Sequence, residues 1–387
     1  MYLVGIDIAK YKHTCFIATE TGEVINDSFD FDNTSSGFDI LLSALSSLKG
    51  EVRIGLEATG HYGMNLKLFL VNHKFTFLEF NPYIVSRFIK ATTLRKTKTD
   101  KADAKFISLY LLSVDYNTYS SKSYQNYSLK SLTRFNESIT KQHSRLLLDL
   151  TNILDLIFPE FKPFFGKKFT RTSVYLLNTY LTPDKMKNMN FKSFDKITTA
   201  SKGRFKFSKF VTLKELAADT IGSTNELLTF QLSSILSLLN SIKNVKKEID
   251  AKIFTIITEL NPPLLSIPGV GIKSAAVICS EYGNFHNFSN SKKLLAFAGL
   301  DPAIYQSGES IKFGRMVKRG SSSLRQAIMN VTISVVRYNP IFYLYYHKKR
   351  NEGKAHRVAL THVARKLLRV IYHLEITNTK FDISKLV

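Results

Sequence analysis

Four carboxylates sit where two strands and a helix could bring them together. Asp7 lies at the end of an apolar run in "VGIDIAK", and Glu57 ends another in "RIGLEATG". Both follow the order apolar, Gly, apolar, acid, so paired strands would present the two side chains at one end of a sheet. A Gly before each acid lets neighbouring backbone or a ligand approach closely. Asp100 and Asp103, in "TKTDKADAKFISLY", are one turn apart at a helix start and share a face. Such a set can cage one or two divalent cations; Mg²⁺ (or Mn²⁺) prefers carboxylate oxygens, waters and substrate phosphates. Two ions of this kind clamp the attacking and leaving oxygens of a phosphoryl transfer. Taken alone, Asp100 and Asp103 also read as first-turn acids opposing the helix dipole. "GIDIAK" alone also fits the first phosphate loop of actin-like ATPases, but the Asp-Gly-rich second loop those enzymes need is missing downstream.

Cations crowd the helical pair. Arg95, Lys96, Lys98 and Lys101 are placed to hold the phosphate backbone on which bound metals would act. Farther on, "LLSIPGVGIKSAAVICSEYG" reads as helix, Pro-Gly-apolar-Gly hairpin, helix. Gly269, Gly271 and Lys273 could form a sequence-independent phosphate cradle there, and a plain helix connection is the alternative. Tyr305, Ser307 and Gly308 form a turn followed by a basic, Gly-punctuated loop with Arg315, Lys318, Arg319 and Arg325. A serine among cations can attack a phosphodiester, the cations stabilising the developing charge. By spacing alone the nucleophile reading is weak, exposed serines being common, and an ordinary turn serine is the stronger reading.

The elements that must position these groups follow from periodicity. Residues 1–125 alternate strand and helix signals, with strands at "YLVGIDIA", "KHTCFIAT", "EVINDSFDFD", "VRIGLEATG" and "FTFLEFNP". That is an α/β sheet with some parallel pairing. Residues 126–262 are helical, with a Phe- and Lys-rich stretch of short helices over 159–222. Leu228, Ile235, Ile242, Ile249 and Ile256 repeat every seven residues, as do Leu232, Leu239, Lys246, Ile253 and Leu260. Five heptads predict a coiled coil that joins chains, or else two long antiparallel helices within one chain. Pro262 and Pro263 stop that helix. Residues 263–387 read as a small, mainly α domain with the helix-hairpin-helix element.

Bulk composition points the same way. The formal charge is +23, from 54 Lys and Arg against 31 Asp and Glu. Between Lys312 and Arg369 there are fourteen Lys or Arg and one acid, Glu352. Such asymmetry predicts a polyanion-binding face. No stretch is long and apolar enough for a membrane span, no signal-peptide pattern opens the chain, and two cysteines without ligand spacing suit a reducing, bacterial-type cytoplasm.

In order along the chain, "GIDIAK", "LEATGHYG", "TKTDKADAKFI", "LLSIPGVGIKSAAVICSEYGNF", "LLAFAGLDPAIYQSG" and "VKRGSSSLRQAIMN" resemble the motifs of the DEDD transposases of insertion-sequence family 110. The resemblance runs from residue 1 to about 375. It implies a RuvC-like domain of RNase H fold, a coiled-coil linker and a C-terminal transposase domain. It further implies an element-encoded bridge RNA that pairs with donor and target DNA. The four acids would be Asp7, Glu57, Asp100 and Asp103, and the nucleophile Ser307, forming a phosphoserine with Mg²⁺ at the acids. A homo-oligomer, dimer to tetramer, would be held by the coiled coil. A Holliday-junction-type nuclease would need the acids without Ser307, and a non-catalytic scaffold would need neither.

Overall fold

Five apolar runs in the first eighty residues become the five strands of one sheet. A computed structural model describes residues 1–58, 60–93, 99–114, 123–166, 169–307 and 310–386, without the side chains of 123–126, 304–307, 310–313, 315 and 385–386. Strands β1 (Tyr2–Ile8), β2 (Lys12–Thr19), β3 (Val24–Asp32), β4 (Val52–Glu57) and β5 (Phe77–Phe80) stand in the order β3-β2-β1-β4-β5. The first three form an antiparallel meander, and β4 and β5 add in parallel to β1. Parallel neighbours require crossovers, supplied here by α1 (Ser35–Ser46) and α2 (Met64–Asn72). This mixed sheet is consistent with an RNase H-like α/β domain.

Alternation along β1 sorts the two faces. Val4, Ile6 and Ile8 point with Cys15, Ile17 and Phe31 into a core closed by Phe38 and Leu41 of α1 and Leu66 and Leu70 of α2. Leu3, Gly5 and Asp7 face the other way. There α3 (Pro82–Thr92) and α4 (Asp100–Tyr110) bring Val85 and Ile107 against Leu3, Leu78 and Phe80. The acids therefore share a face with α4.

The chain divides into two compact units, residues 1–128 with 282–293, and residues 129–281 with 294–387. The second is mostly helical. Its spine is α5 (Ser123–Ile157) and α11 (Glu226–Leu260), each 35 residues long. Between them lie α6 (Phe161–Phe165), α7 (Arg171–Tyr180), α8 (Pro183–Lys187), α9 (Phe191–Ala200) and α10 (Phe207–Ala218), the short helices expected of the Phe-rich stretch.

The heptad series meets its partner inside the chain over much of its length. Leu232 and Leu236 are buried with Leu150, Ile153 and Leu154, while Leu228, Ile235 and Leu239 pack around them. Lys246 donates to Thr140 (2.8 Å) and Asn136 to Asp250 (3.5 Å), so α5 and α11 run antiparallel. On another side of α11, Leu227, Phe230 and Leu238 are more than half exposed. Intrachain pairing thus explains one face of α11 and leaves another uncovered.

After α11 the chain continues through α12 (Ile272–Tyr282), α13 (Ser291–Phe297), α14 (Ser322–Tyr338), α15 (Pro340–Asn351) and α16 (His356–Thr377). Two local expectations are corrected. The helix expected before the Pro-Gly hairpin is a single 3₁₀ turn, Pro263–Ser266, because Asn261 turns left-handed and two prolines follow. The expected loop around 310–316 is instead half of a hairpin, β6 (Pro302–Ser307) against β7 (Ser310–Met316). No helix among the described residues is long and apolar enough to cross a membrane.

Glu281, at the end of α12, anchors α5. It is 4 % exposed and pairs with Arg134 (2.8 Å) and Lys130 (3.4 Å). Burial raises its carboxyl, but the Arg134 hydrogen bond and the Lys130 charge outweigh that and hold it below the usual glutamate range. Arg134→Met should destabilise the unit by about 3 kcal/mol in chemical denaturation, the low end for stranding a buried charge, because Lys130 remains.

Candidate active site

Asp7 and Glu57 stand together because β1 and β4 pair in parallel with Gly5 opposite Gly55 and Ile6 opposite Leu56. Asp100 and Asp103 come from the first turn of α4. Thr99 caps that helix by accepting from the Ala102 amide, 3.2 Å away. What brings helix to strands is the absence of two side chains. A Cβ on Gly5 would lie 2.1 Å from the Ala104 carbonyl oxygen and 2.5 Å from the Ser108 amide nitrogen. One on Gly55 would meet the Phe80 ring at 2.7 Å and Ile107 at 3.1 Å. The glycines ahead of both acids admit the helix that carries the other two. Gly5→Ala should push α4 outward, costing about 1–3 kcal/mol as overpacking does. It should also lower strand cleavage more than the loss of folded protein explains, measured by thermal melting beside a cleavage assay.

The electrostatics of the four acids are those of crowded like charges. Asp7 is raised from 3.8 to about 6, first by burial and then by the charges of Asp103, Glu57 and Asp100. Asp103 is 8 % exposed, whereas Asp100 at the helix tip is open to solvent. Among the described residues, no three His, Cys, Asp or Glu side chains gather at closed metal-ligand spacing. The acids are thus within electrostatic reach of one another as an open set. Their donor chemistry, all carboxylate oxygen, fits a hard divalent ion that keeps water or phosphate ligands.

Beside them lies a pair that motif reading passes over. Thr14 is opposite Asp7 in β2, and Asp30 is opposite Thr14 in β3. Asp30 accepts from Lys12 (2.7 Å) and from Thr14 (2.7 Å), which hold it below its usual range. Lys12 is raised by Asp30 and, more weakly, by Asp100. Alternation in β2 is the signal that places Lys12 and Thr14 on the face of Asp7.

Of the expected cations, Lys101 is exposed on α4, one residue from Asp100. Arg95, Lys96 and Lys98 lie outside the described residues, as do the side chains of Tyr305, Ser307 and Arg315 and all of Gly308. The backbone places Ser307 at the last position of β6, paired with Ser310 at the start of β7, so it flanks the hairpin turn. Lys318 and Arg319 are exposed just beyond β7. Arg325 reaches back to the carbonyls of Ala298 (3.3 Å) and Lys318 (3.5 Å), holding the segment after β7 against α13.

The Pro-Gly hairpin has a packing role as well. Gly269 has φ +98°, and a Cβ there would lie 2.7 Å from the Val335 backbone, so this glycine lets α14 approach. Gly271 faces open space, and Lys273 pairs with Asp250 at 2.6 Å. Ser321 caps α14 by accepting from the Leu324 amide, and Ser323 donates to Glu137 (2.6 Å).

Residues 4–159 match a transposase family model named for DEDD acids and insertion sequence IS110, a group that works with divalent metal. Residues 261–347 match the model for transposases of the IS116/IS110/IS902 family. Over 95 % of its length the chain is 22 % identical to 92 % of the "Insertion element IS110 uncharacterized 43.6 kDa protein" of Streptomyces coelicolor. It is 24 % identical to the pilin gene-inverting protein of Moraxella bovis, covering 98 % of this chain and 97 % of that one. A shorter match, 34 % identical over 73 residues, covers 19 % of this chain and 20 % of the transposase for insertion sequence element IS1111A of Coxiella burnetii. The two family models bracket both the acids and Ser307, and on this ground the chain belongs to the IS110 family of transposases, enzymes that cut and rejoin DNA.

Proposed function

We propose that this transposase recombines donor and target double-stranded DNA under the guidance of an RNA encoded by its element, through a phosphoserine at Ser307. The observation that carries the reading is the convergence of Asp7, Glu57, Asp100 and Asp103, registered in the raised Asp7 carboxyl. Asp7 and Glu57, from β1 and β4, and Asp100 and Asp103, from α4, would hold Mg²⁺ (or Mn²⁺). When bound, the ion neutralises charge that develops on phosphate oxygens during transfer. The Ser307 hydroxyl forms the new bond to phosphorus while the bond to the leaving deoxyribose oxygen breaks. The serine proton passes to solvent, and the leaving oxygen takes one up in exchange. Reversal onto another DNA end rejoins the strand, since the ester keeps the phosphodiester's energy.

Several features support the remaining parts. Lys101, Lys318 and Arg319 are exposed cations suited to backbone contacts, with Arg95, Lys96, Lys98 and Arg315 as further members. Gly269, Gly271, Lys273 and Arg325 would serve nucleic-acid binding within the second unit, chiefly by holding its backbone. The uncovered apolar side of α11 suits a homo-oligomer, dimer to tetramer. Functionally, 1–125 would be the RuvC-like catalytic domain, 126–262 the linking and oligomerising region, and 263–387 the domain with the nucleophile. The two relatives named for inverting a pilin gene favour cutting with rejoining over hydrolysis.

The test is incubation of the full-length protein with its element's DNA ends, the adjacent noncoding RNA and Mg²⁺, followed by denaturing electrophoresis. A protein–DNA adduct that requires all three is expected. Nicked DNA without an adduct would instead assign a metal-dependent nuclease, and an adduct formed without RNA would remove the guide.

A further inference from the structure

The C-terminal helix carries a hollow that none of the motifs announce. Along α16, Arg365, Lys366 and Arg369 lie on one face and open onto a cavity of about 650 Å³. Lys380 lines it from the chain that follows. Its floor is apolar, built by Val370, Leu374 and Phe381. The far wall is held in place by backbone geometry. Asn378 ends α16 in the left-handed conformation at φ +50°, and the Thr379 amide donates to Leu374 O at 3.1 Å. The Phe381 amide then donates to Ser266 Oγ at 2.8 Å, pinning the returning segment.

The rim holds four cations, Arg365, Lys366, Arg369 and Lys380, against one acid, the exposed Asp382. The Lys366 ammonium stands 4.9 Å from the centre of the Tyr345 ring, and that of Lys349 stands 5.5 Å away. Lys349 is paired with Glu352, and Arg365 is 3.7 Å from Asp301. Among the described residues, no carboxylate lies within ion-pair distance of Lys366, Arg369 or Lys380. His362 is held below its usual range by burial and then by Lys349 and Arg365. Cations near a helix C-terminus normally complement its dipole. None of these cations stands in the last turn of α16, so that effect does not account for them.

We propose that this cavity receives one unpaired nucleotide of a nucleic-acid strand, its base over Phe381 and its phosphates on Lys366, Arg369 and Lys380. The volume lies within the roughly 300–1,000 Å³ typical of sites for small ligands. A duplex backbone would meet the rim alone and leave the apolar floor wet, because its bases are stacked inside. A splayed base offers an apolar face that requires a partner, which is how single strands are gripped. The strand is RNA or DNA, since both carry the base and the phosphate. This inference rests on the nucleic-acid recombinase reading above and adds a site to it.

The test uses full-length protein with fluorescent oligouridylate, oligothymidylate and a blunt DNA duplex, followed by anisotropy. Phe381→Ala should weaken single-strand binding about tenfold, within what one base stack contributes. Duplex binding should change less than about twofold, and Phe381→Tyr should restore the lost affinity. Replacing Lys366 and Arg369 together with Gln should flatten the single-strand salt slope by about 1.4, at ~0.7 per phosphate contact. A larger loss on oligouridylate names RNA as the strand, and a larger loss on oligothymidylate names DNA. Equal losses on duplex and single strand, or displacement of the oligonucleotides by polyglutamate at equal affinity, would overturn the proposal. So would Phe381→Ala binding like wild type, which leaves the recombinase reading standing. Wild type that binds none of the probes removes both.

Discussion

Ser307→Ala should form no covalent protein–DNA species while binding DNA and the element's adjacent noncoding RNA with unchanged affinity. The expected loss of recombination exceeds about 10³-fold, as when a nucleophile is deleted and only binding and charge stabilisation survive. Ser307 is the last residue of β6 and pairs with Ser310 at the start of β7. The controls are nearby serines with other work. Ser321 caps α14, and Ser321→Ala should cost about 1 kcal/mol of stability and leave the adduct intact. Ser323 is engaged with Glu137, so its replacement should likewise alter stability before chemistry. An adduct that persists in Ser307→Ala would move the nucleophile to Ser321, Ser322, Tyr305 or water. It would leave a metal-dependent nuclease built on the first unit.

The site was more legible in the sequence than the helical half, and for physical reasons. Apolar-Gly-apolar-acid names a strand end and a close approach at once, and the structure supplies the approaching body, α4. The helix start at Thr99 is equally local, because a capping threonine and first-turn acids need no tertiary knowledge. By contrast, a seven-residue repeat says that a face is apolar without saying what covers it. Leu232 and Leu236 find α5, whereas Leu227 and Phe230 on the same helix find nothing within the described chain. Helix α3 is not anticipated, although Asn81 before Pro82 is a start signal that the structure honours, Asn81 accepting from the Tyr83 amide. The β6–β7 hairpin hides because Gly-punctuated, cationic strands look like loops. Lys12 and Asp30 lie 18 residues apart and meet only once the meander is folded. The nucleotide cavity is invisible for a related reason, since Phe381 joins α16 only after a left-handed reversal at Asn378.

Asp7→Asn should separate the electrostatic cost of the acid set from its use. In the folded protein Asp7 is raised from 3.8 to about 6, by burial first and then by Asp103, Glu57 and Asp100. A carboxyl raised on folding contributes stability that is present below 3.8 and is lost as pH rises through about 6. Metal-free wild type should therefore lose this increment between those limits, while Asp7→Asn, always neutral there, should not. Discounted for solvent screening, the increment is about 1 kcal/mol, or roughly 2–4 °C in Tm near neutral pH. Added Mg²⁺ should reverse the order: it should raise the wild-type Tm at pH 7.5 more than at pH 5, roughly, because deprotonated carboxylates are the ligands. The variant should gain less from Mg²⁺, and its strand cleavage should fall by at least about 10²-fold, since one ligand of the clamp is gone. Asp100→Asn, on the solvent side, should lose cleavage similarly while its binding of nucleic acid persists, the surrounding cations being untouched. Equal Mg²⁺ stabilisation of wild type and both variants, together with retained cleavage, would return Asp7 to an ordinary strand end and Asp100 to a helix cap.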